Sequence, residues 1–123
     1  MSTRSIVSVV DDDESVRESL PDLLKELGFD AVGFSSAEDF LLSDRMSTTE
    51  CLILDIAMPG MSGPELQREL IRRRSNIPIV FITAYGDRVG RLRVIQQGAV
   101  DCLFKPVGEK ALLDAINNAL RAA

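Results

Sequence analysis

Residues 51–63 read Cys51-Leu52-Ile53-Leu54-Asp55-Ile56-Ala57-Met58-Pro59-Gly60-Met61-Ser62-Gly63, an apolar run that stops at an acid and passes into a turn punctuated by proline and glycine. A short continuous apolar run bounded by turn signals reads as a strand buried on both faces. Pro64 follows where a helix can start, and Leu66 and Leu70 continue at helical spacing. The segment is therefore strand, loop and helix, with a carboxylate at the carboxyl end of the strand.

The same unit recurs on both sides. Short β-branched or apolar runs at residues 6–10, 31–34, 79–82 and 100–104 predict four more strands. Between and after them, apolar residues recur at helical spacing: Val16, Leu20, Leu23, Leu24 and Leu27, then Phe40 and Leu41, then Leu92 and Ile95, and finally Leu112, Leu113, Ile116 and Leu120. Gly28 and Gly98 follow helical runs, where a left-handed cap is wanted. Strands this continuous in hydrophobic residues are covered on both faces, which selects a parallel sheet with helices on either side. The expected architecture is α/β: a flavodoxin-like, doubly wound (βα)5 fold with a five-stranded parallel sheet in the order 2-1-3-4-5. Two residues disturb the pattern. An interior proline costs about 3 kcal/mol, so Pro21 predicts a kink in the first helix, and Gly90 weakens the fourth helix by roughly 1 kcal/mol relative to alanine.

Length and composition limit the function classes. A chain of 123 residues fits one domain, taken as residues 1–123. Net charge is −5, and the basic residues are dispersed except for Arg72, Arg73 and Arg74, which read as the solvated, dipole-matched end of a helix. No stripe tracks a phosphate backbone, so direct nucleic-acid binding is not expected. Cys51 and Cys102 lie in apolar runs without metal-ligand spacing and histidine is absent, so both cysteines read as buried thiols in a reducing compartment. The N-terminal apolar run is too short for a signal peptide and no stretch reaches membrane-spanning length. The expected location is the cytoplasm.

In doubly wound sheets, ligands bind beyond the carboxyl ends of the strands where strand order reverses, here between the first and third. The first strand ends in Asp11, Asp12, Asp13 and Glu14, and the third in Asp55. Acids in the first turn of a helix are also stabilised by its dipole, which accounts for the run taken alone. Asp55 has no such explanation. Converging carboxylates repel and raise one another's pKa unless a cation intervenes. Oxygen-only ligation by carboxylates and waters suits Mg2+, with Mn2+ as substitute, and not zinc. The fourth and fifth strands add Thr83 and Lys105 at their ends. Each has an ordinary reading, as a strand-end cap and a solvated charge. Together with the acids they supply the nucleophile, metal site, hydroxyl and ammonium needed to form and hold an aspartyl phosphate.

Four pieces carry a family resemblance: Val9-Val10-Asp11-Asp12, Leu54-Asp55 through Gly63, Ile82-Thr83-Ala84 and Phe104-Lys105-Pro106, with Gly98-Ala99 ahead of the fifth strand. In this order, at strand ends along the whole chain, they resemble the signature of the receiver domains of two-component response regulators, most closely those of FixJ-type transcriptional regulators. The resemblance implies that Asp55 is the phosphoacceptor. It implies that Asp11, Asp12, Asp55 and the Ala57 backbone carbonyl hold Mg2+, Asp12 directly and Asp11 through water. Lys105 then bridges Asp55 and the phosphoryl group, Thr83 donates to a phosphoryl oxygen, and the Lys105-Pro106 bond is cis. The implied donor is the phosphohistidine of a sensor histidine kinase. The implied output is homodimerisation through the surface of the fourth helix, fifth strand and fifth helix, coupled to a DNA-binding domain outside this chain. One departure stands out: receivers commonly carry Tyr or Phe three residues before the lysine, and Cys102 stands there. Movement of the Thr83 loop is then expected to travel through backbone and fourth-helix packing, with Tyr85 placed to shield the acyl phosphate.

Alternatives differ at identifiable positions. A phosphohydrolase of the haloacid dehalogenase type wants a second acid two residues after its nucleophile, where this chain has Ala57. A flavin carrier wants a hydroxyl- or glycine-rich loop after the first strand, where four acids repel phosphate. Within the receiver reading, a stand-alone receiver acting through protein contacts is the alternative to a transcriptional regulator.

Overall fold

A computed structural model describes residues 4–122; residues 1–3 and 123, the ends of the span read as one domain, lie outside the described residues. The chain alternates strand β1 (Ile6–Val10), helix α1 (Glu14–Glu26), β2 (Asp30–Phe34), α2 (Ala37–Leu42), a single 3-10 turn (Asp44–Ser47), β3 (Cys51–Asp55), α3 (Gly63–Arg72), β4 (Ile79–Thr83), α4 (Arg88–Gln96), β5 (Asp101–Phe104) and α5 (Glu109–Ala122). All strand pairs are parallel and the sheet runs β2-β1-β3-β4-β5. This is the expected fold with the expected strand order. The 3-10 turn was not anticipated; the Thr48 and Thr49 hydroxyls donate back to its Arg45 carbonyl and close it.

Every residue of β3 and β4 is buried. Alternate residues feed two cores. Val7, Val9, Cys51, Ile53, Val80 and Ile82 face α1 and α5, while Val10, Leu52, Leu54, Phe81 and Cys102 face α2, α3 and α4. The two cysteines thus lie on opposite faces as buried free thiols. Ser8, fully buried on β1, shares a 2.6 Å hydrogen bond with Thr49, which removes the cost of burying either hydroxyl.

Local signals fix the helix ends. Gly28 and Gly98 adopt φ of 102° and 108°, the left-handed geometry for which glycine carries no steric penalty. Ser62 and Glu65 form a reciprocal capping box at the start of α3. Arg72 and Arg73 close that helix by pairing with Glu69, one turn earlier. Pro21 does not end α1, which continues to Glu26. The Arg17 carbonyl, deprived of its helical donor by the proline, packs over Gly33, where a Cβ would lie 3.0 Å from that oxygen.

Candidate functional site

Strand register converts the sequence into a row of side chains. Val10 pairs with Leu54, so Asp11 and Asp55 stand next along adjacent strands. Asp55 pairs with Ile82 and Thr83 with Phe104, which places Thr83 and then Lys105 one step further along the same edge. Hydrogen bonds continue the ladder past the strand ends, from the Asp11 N–H to the Phe34 carbonyl and from the Lys105 N–H to the Thr83 carbonyl.

The acidic run divides its labour. Asp13 caps α1, its carboxylate accepting from the Ser15 N–H, which is the ordinary helix-start role. Asp11 is fully buried, and its Oδ1 accepts from the Asp13 N–H at 2.9 Å. Its Oδ2 lies 3.0 Å from Lys105 Nζ, close enough for an ion pair but not aligned for a hydrogen bond, so this buried oxygen has no hydrogen-bond partner among the described residues. Lys105 Nζ also reaches Asp55 Oδ2 at 3.5 Å. Asp11, Asp12 and Asp55 each offer an oxygen within 4.8 Å of the others. Two of these acids are buried and one is exposed, and all donors are hard oxygens, a set that fits a divalent cation of the Mg2+ type.

Asp55, 6% exposed, has its pKa pushed up to about 6, first by burial and then by the charge of Asp11, with Lys105 opposing the rise. Desolvation also acts on Lys105, but the two aspartates outweigh it and hold the ammonium above its ordinary value.

The remaining sequence-selected residues lie around this cluster. Ala57 is exposed on the loop two residues past Asp55. The Lys105-Pro106 bond is cis. Tyr85 is 86% exposed, its ring edge-to-face with Phe104 at a centroid distance of 6.2 Å. Cys102 is buried in the core beneath α4, and its carbonyl accepts from Arg91 Nε at 3.1 Å. Thr83 is buried, and its hydroxyl donates to Asp87 Oδ2 at 3.0 Å.

Three further residues shape the site without having been singled out from sequence. Asp87 is the N-cap of α4. Gly63 lets α3 begin against the end of β3: a Cβ there would lie 2.2 Å from the Asp55 carbonyl oxygen. Glu38 on α2 accepts from the Met61 N–H at 3.1 Å and so pins the loop after Asp55. Asp87 had a readable signal, as an acid ahead of a helical run; Gly63 and Glu38 act through contacts between segments that no local pattern encodes.

Comparison with known proteins places this arrangement. Residues 7–117 match the response regulator receiver domain. Nodulation protein W of Bradyrhizobium diazoefficiens is 46% identical over 115 residues, which are 94% of this chain and 51% of that protein. Response regulator protein TodT of Pseudomonas putida is 44% identical over 124 residues, 100% of this chain and 55% of that protein. Among solved structures, FixJ-N superposes with a TM-score of 0.90 at 35% identity, covering 99% of this chain and 98% of its own. Response regulator StyR gives 0.88 at 48% identity, covering 98% and 61%. The chain spans about half the length of the curated relatives it matches. No helix among the described residues is long and apolar enough to cross a membrane.

Proposed function

Since the chain belongs to the response regulator receiver family, we propose that residues 1–123 act as one phosphorylation-dependent switch whose acceptor is Asp55. The observation that carries this reading is the convergence of Asp11, Asp12 and Asp55 within 4.8 Å, with Lys105 against two of them.

An Asp55 oxygen attacks the phosphorus of a phosphohistidine on a sensor kinase, and the P–N bond breaks as the new P–O bond forms. The carboxylate must be ionised to attack, and Lys105 favours that form against the burial that opposes it. Asp11, Asp12, Asp55 and the Ala57 carbonyl would hold a divalent ion, which when bound would neutralise carboxylate and phosphoryl charge. Lys105 then pairs with the phosphoryl oxygens, and Thr83 donates its hydroxyl to one of them. Tyr85 stands at the rim of this edge and slows hydrolysis of the acyl phosphate by excluding water.

The output face is α4-β5-α5. Val89 and Leu92 on α4 are exposed at 78% and 57%, and Arg91 meets Asp101 of β5 at 3.7 Å. An exposed apolar pair beside charges is the composition of a protein-contact surface, here the homodimer contact made on phosphorylation. Relatives about twice as long include proteins named transcriptional regulators, which favours a transcriptional output in the whole protein over a stand-alone receiver. In that arrangement this domain contacts protein rather than DNA and works in the cytoplasm, where its two thiols stay reduced.

Incubation with acetyl phosphate and Mg2+, followed by intact mass, tests the reading. The wild type gains one phosphoryl group and Asp55→Asn gains none. Equal labelling of both proteins overturns the assignment.

A further inference from the structure

The Thr83 hydroxyl already has a partner outside the edge cluster, and that partner is the cap of a helix. Asp87 Oδ2 accepts from the Thr83 hydroxyl at 3.0 Å while Oδ1 accepts from the Gly90 N–H at 3.0 Å. A carboxylate satisfied on both oxygens by two different segments couples them. Gly90 is what permits the fit, because a Cβ there would lie 2.3 Å from Asp87 Oδ2. Its cost to helix propensity is thereby explained.

A hydroxyl has a single proton to donate. Thr83 therefore cannot serve Asp87 and a phosphoryl oxygen together. We propose that Asp87 is a positioning residue that holds the Thr83 hydroxyl in the resting domain, and that phosphorylation draws the hydroxyl away from Asp87 and so changes the cap of α4. The proposal rests on the reading of Asp55 as phosphoacceptor and Thr83 as its hydroxyl donor. It supplies a route from the acceptor site to α4 that needs no aromatic side chain at position 102. The surroundings agree with it: the Cys102 thiol is pushed up to about 11, by burial first and against the pull of Arg91, with the charges of Asp101 and Asp87 adding to the rise.

Beryllofluoride, a phosphoryl mimic, provides the probe, used with Mg2+ on the full chain while the Thr83 methyl resonance is followed. Without the probe, Asp87→Ala and Gly90→Ala move that resonance toward its position in the beryllofluoride-bound wild type. Asp87→Asn keeps an acceptor and a good helix cap and returns it toward the resting wild type. With the probe, half-saturation of Asp87→Ala falls about tenfold, the scale of one hydrogen bond to a charged acceptor. The same substitution in a Thr83→Val background has no effect, because no hydroxyl remains to be exchanged. Gly90→Ala keeps α4 helical and covers the case in which loss of the cap frays it. An unmoved methyl in both Asp87→Ala and Gly90→Ala, or an equal drop in the Thr83→Val background, overturns the role of Asp87 and leaves the acceptor reading standing. Failure of the wild type to bind beryllofluoride at Asp55 overturns both.

Discussion

Lys105 stands between two carboxylates that would otherwise face each other across a buried gap. Its Nζ lies 3.0 Å from Asp11 and 3.5 Å from Asp55, and it is the main influence lowering an Asp55 pKa that burial raises to about 6. Removing it with Lys105→Ala takes away only the lowering influence, so the Asp55 carboxyl should titrate above about 6 in the magnesium-free domain. Carboxyl carbon shifts followed by NMR across pH 4 to 8 would read this, and an unchanged midpoint would contradict the ion-pair geometry. Gly63 is a second residue whose role is spatial. A Cβ at this position meets the Asp55 carbonyl oxygen at 2.2 Å and Phe81 at 2.9 Å, and backbone cannot yield as a flexible side chain can. Gly63→Ala should therefore destabilise the domain by about 1 to 3 kcal/mol, the range for forced overpacking, and slow phosphorylation of Asp55. Urea midpoints and acetyl phosphate labelling check the two parts separately.

Among the elements, α4 is the least anchored helix. Only Val94 of its nine residues is buried, compared with four in α5, and its C-terminal turn is held by the Gln67 amide donating to the Val94 carbonyl at 3.2 Å. Few buried apolar contacts mean a low cost of local opening. Amide exchange across residues 88–96 should exceed that of α1 and α5 in the resting domain, and phosphorylation should alter it more than it alters α1. Exchange followed by mass spectrometry decides this, and equal protection of α4 and α5 would refute it. The same contrast explains what the sequence revealed. Runs such as Cys51-Leu52-Ile53-Leu54 and Ile79-Val80-Phe81-Ile82 are apolar because β3 and β4 are covered on both faces, so the strands, their order and the acids at their ends could be read from local pattern and general sheet rules. The helix α4 showed only Leu92 and Ile95 as spacing; Ile95 does pack against the core, but the fully buried residue is Val94 and Leu92 is 57% exposed. Its attachment through Asp87 to Thr83, like the approach of Gly63 to Asp55, depends on how separate segments meet and leaves no periodic trace.

At the scale of the whole molecule, a cluster of acids at the sheet edge, two of them buried, makes stability depend on pH and on any divalent ion the cluster holds. Asp55 titrates near 3.9 in an unfolded chain and at about 6 in the fold. A pKa raised by folding means that the native state binds the proton more tightly. The resulting contribution is fully present below about pH 4, is lost as pH rises through 6, and leaves the ionised domain less stable by up to about 3 kcal/mol. A divalent ion held by Asp11, Asp12 and Asp55 would bind the folded, ionised form and oppose that loss, by about 2.7 kcal/mol at a concentration one hundred times its Kd. Other carboxylates titrate over the same interval, so the informative quantity is the difference in unfolding free energy between Asp55→Asn and wild type. Without Mg2+, that difference should grow in favour of the variant between pH 4 and pH 7, because asparagine carries no charge to bury. With saturating Mg2+ it should shrink or reverse at pH 7, because the variant has lost a charged ligand. Urea unfolding at several pH values, with Mg2+ and with chelator, measures both trends. A difference that is flat in pH and indifferent to Mg2+ would mean that Asp55 neither feels the buried charge of Asp11 nor shares an ion with it.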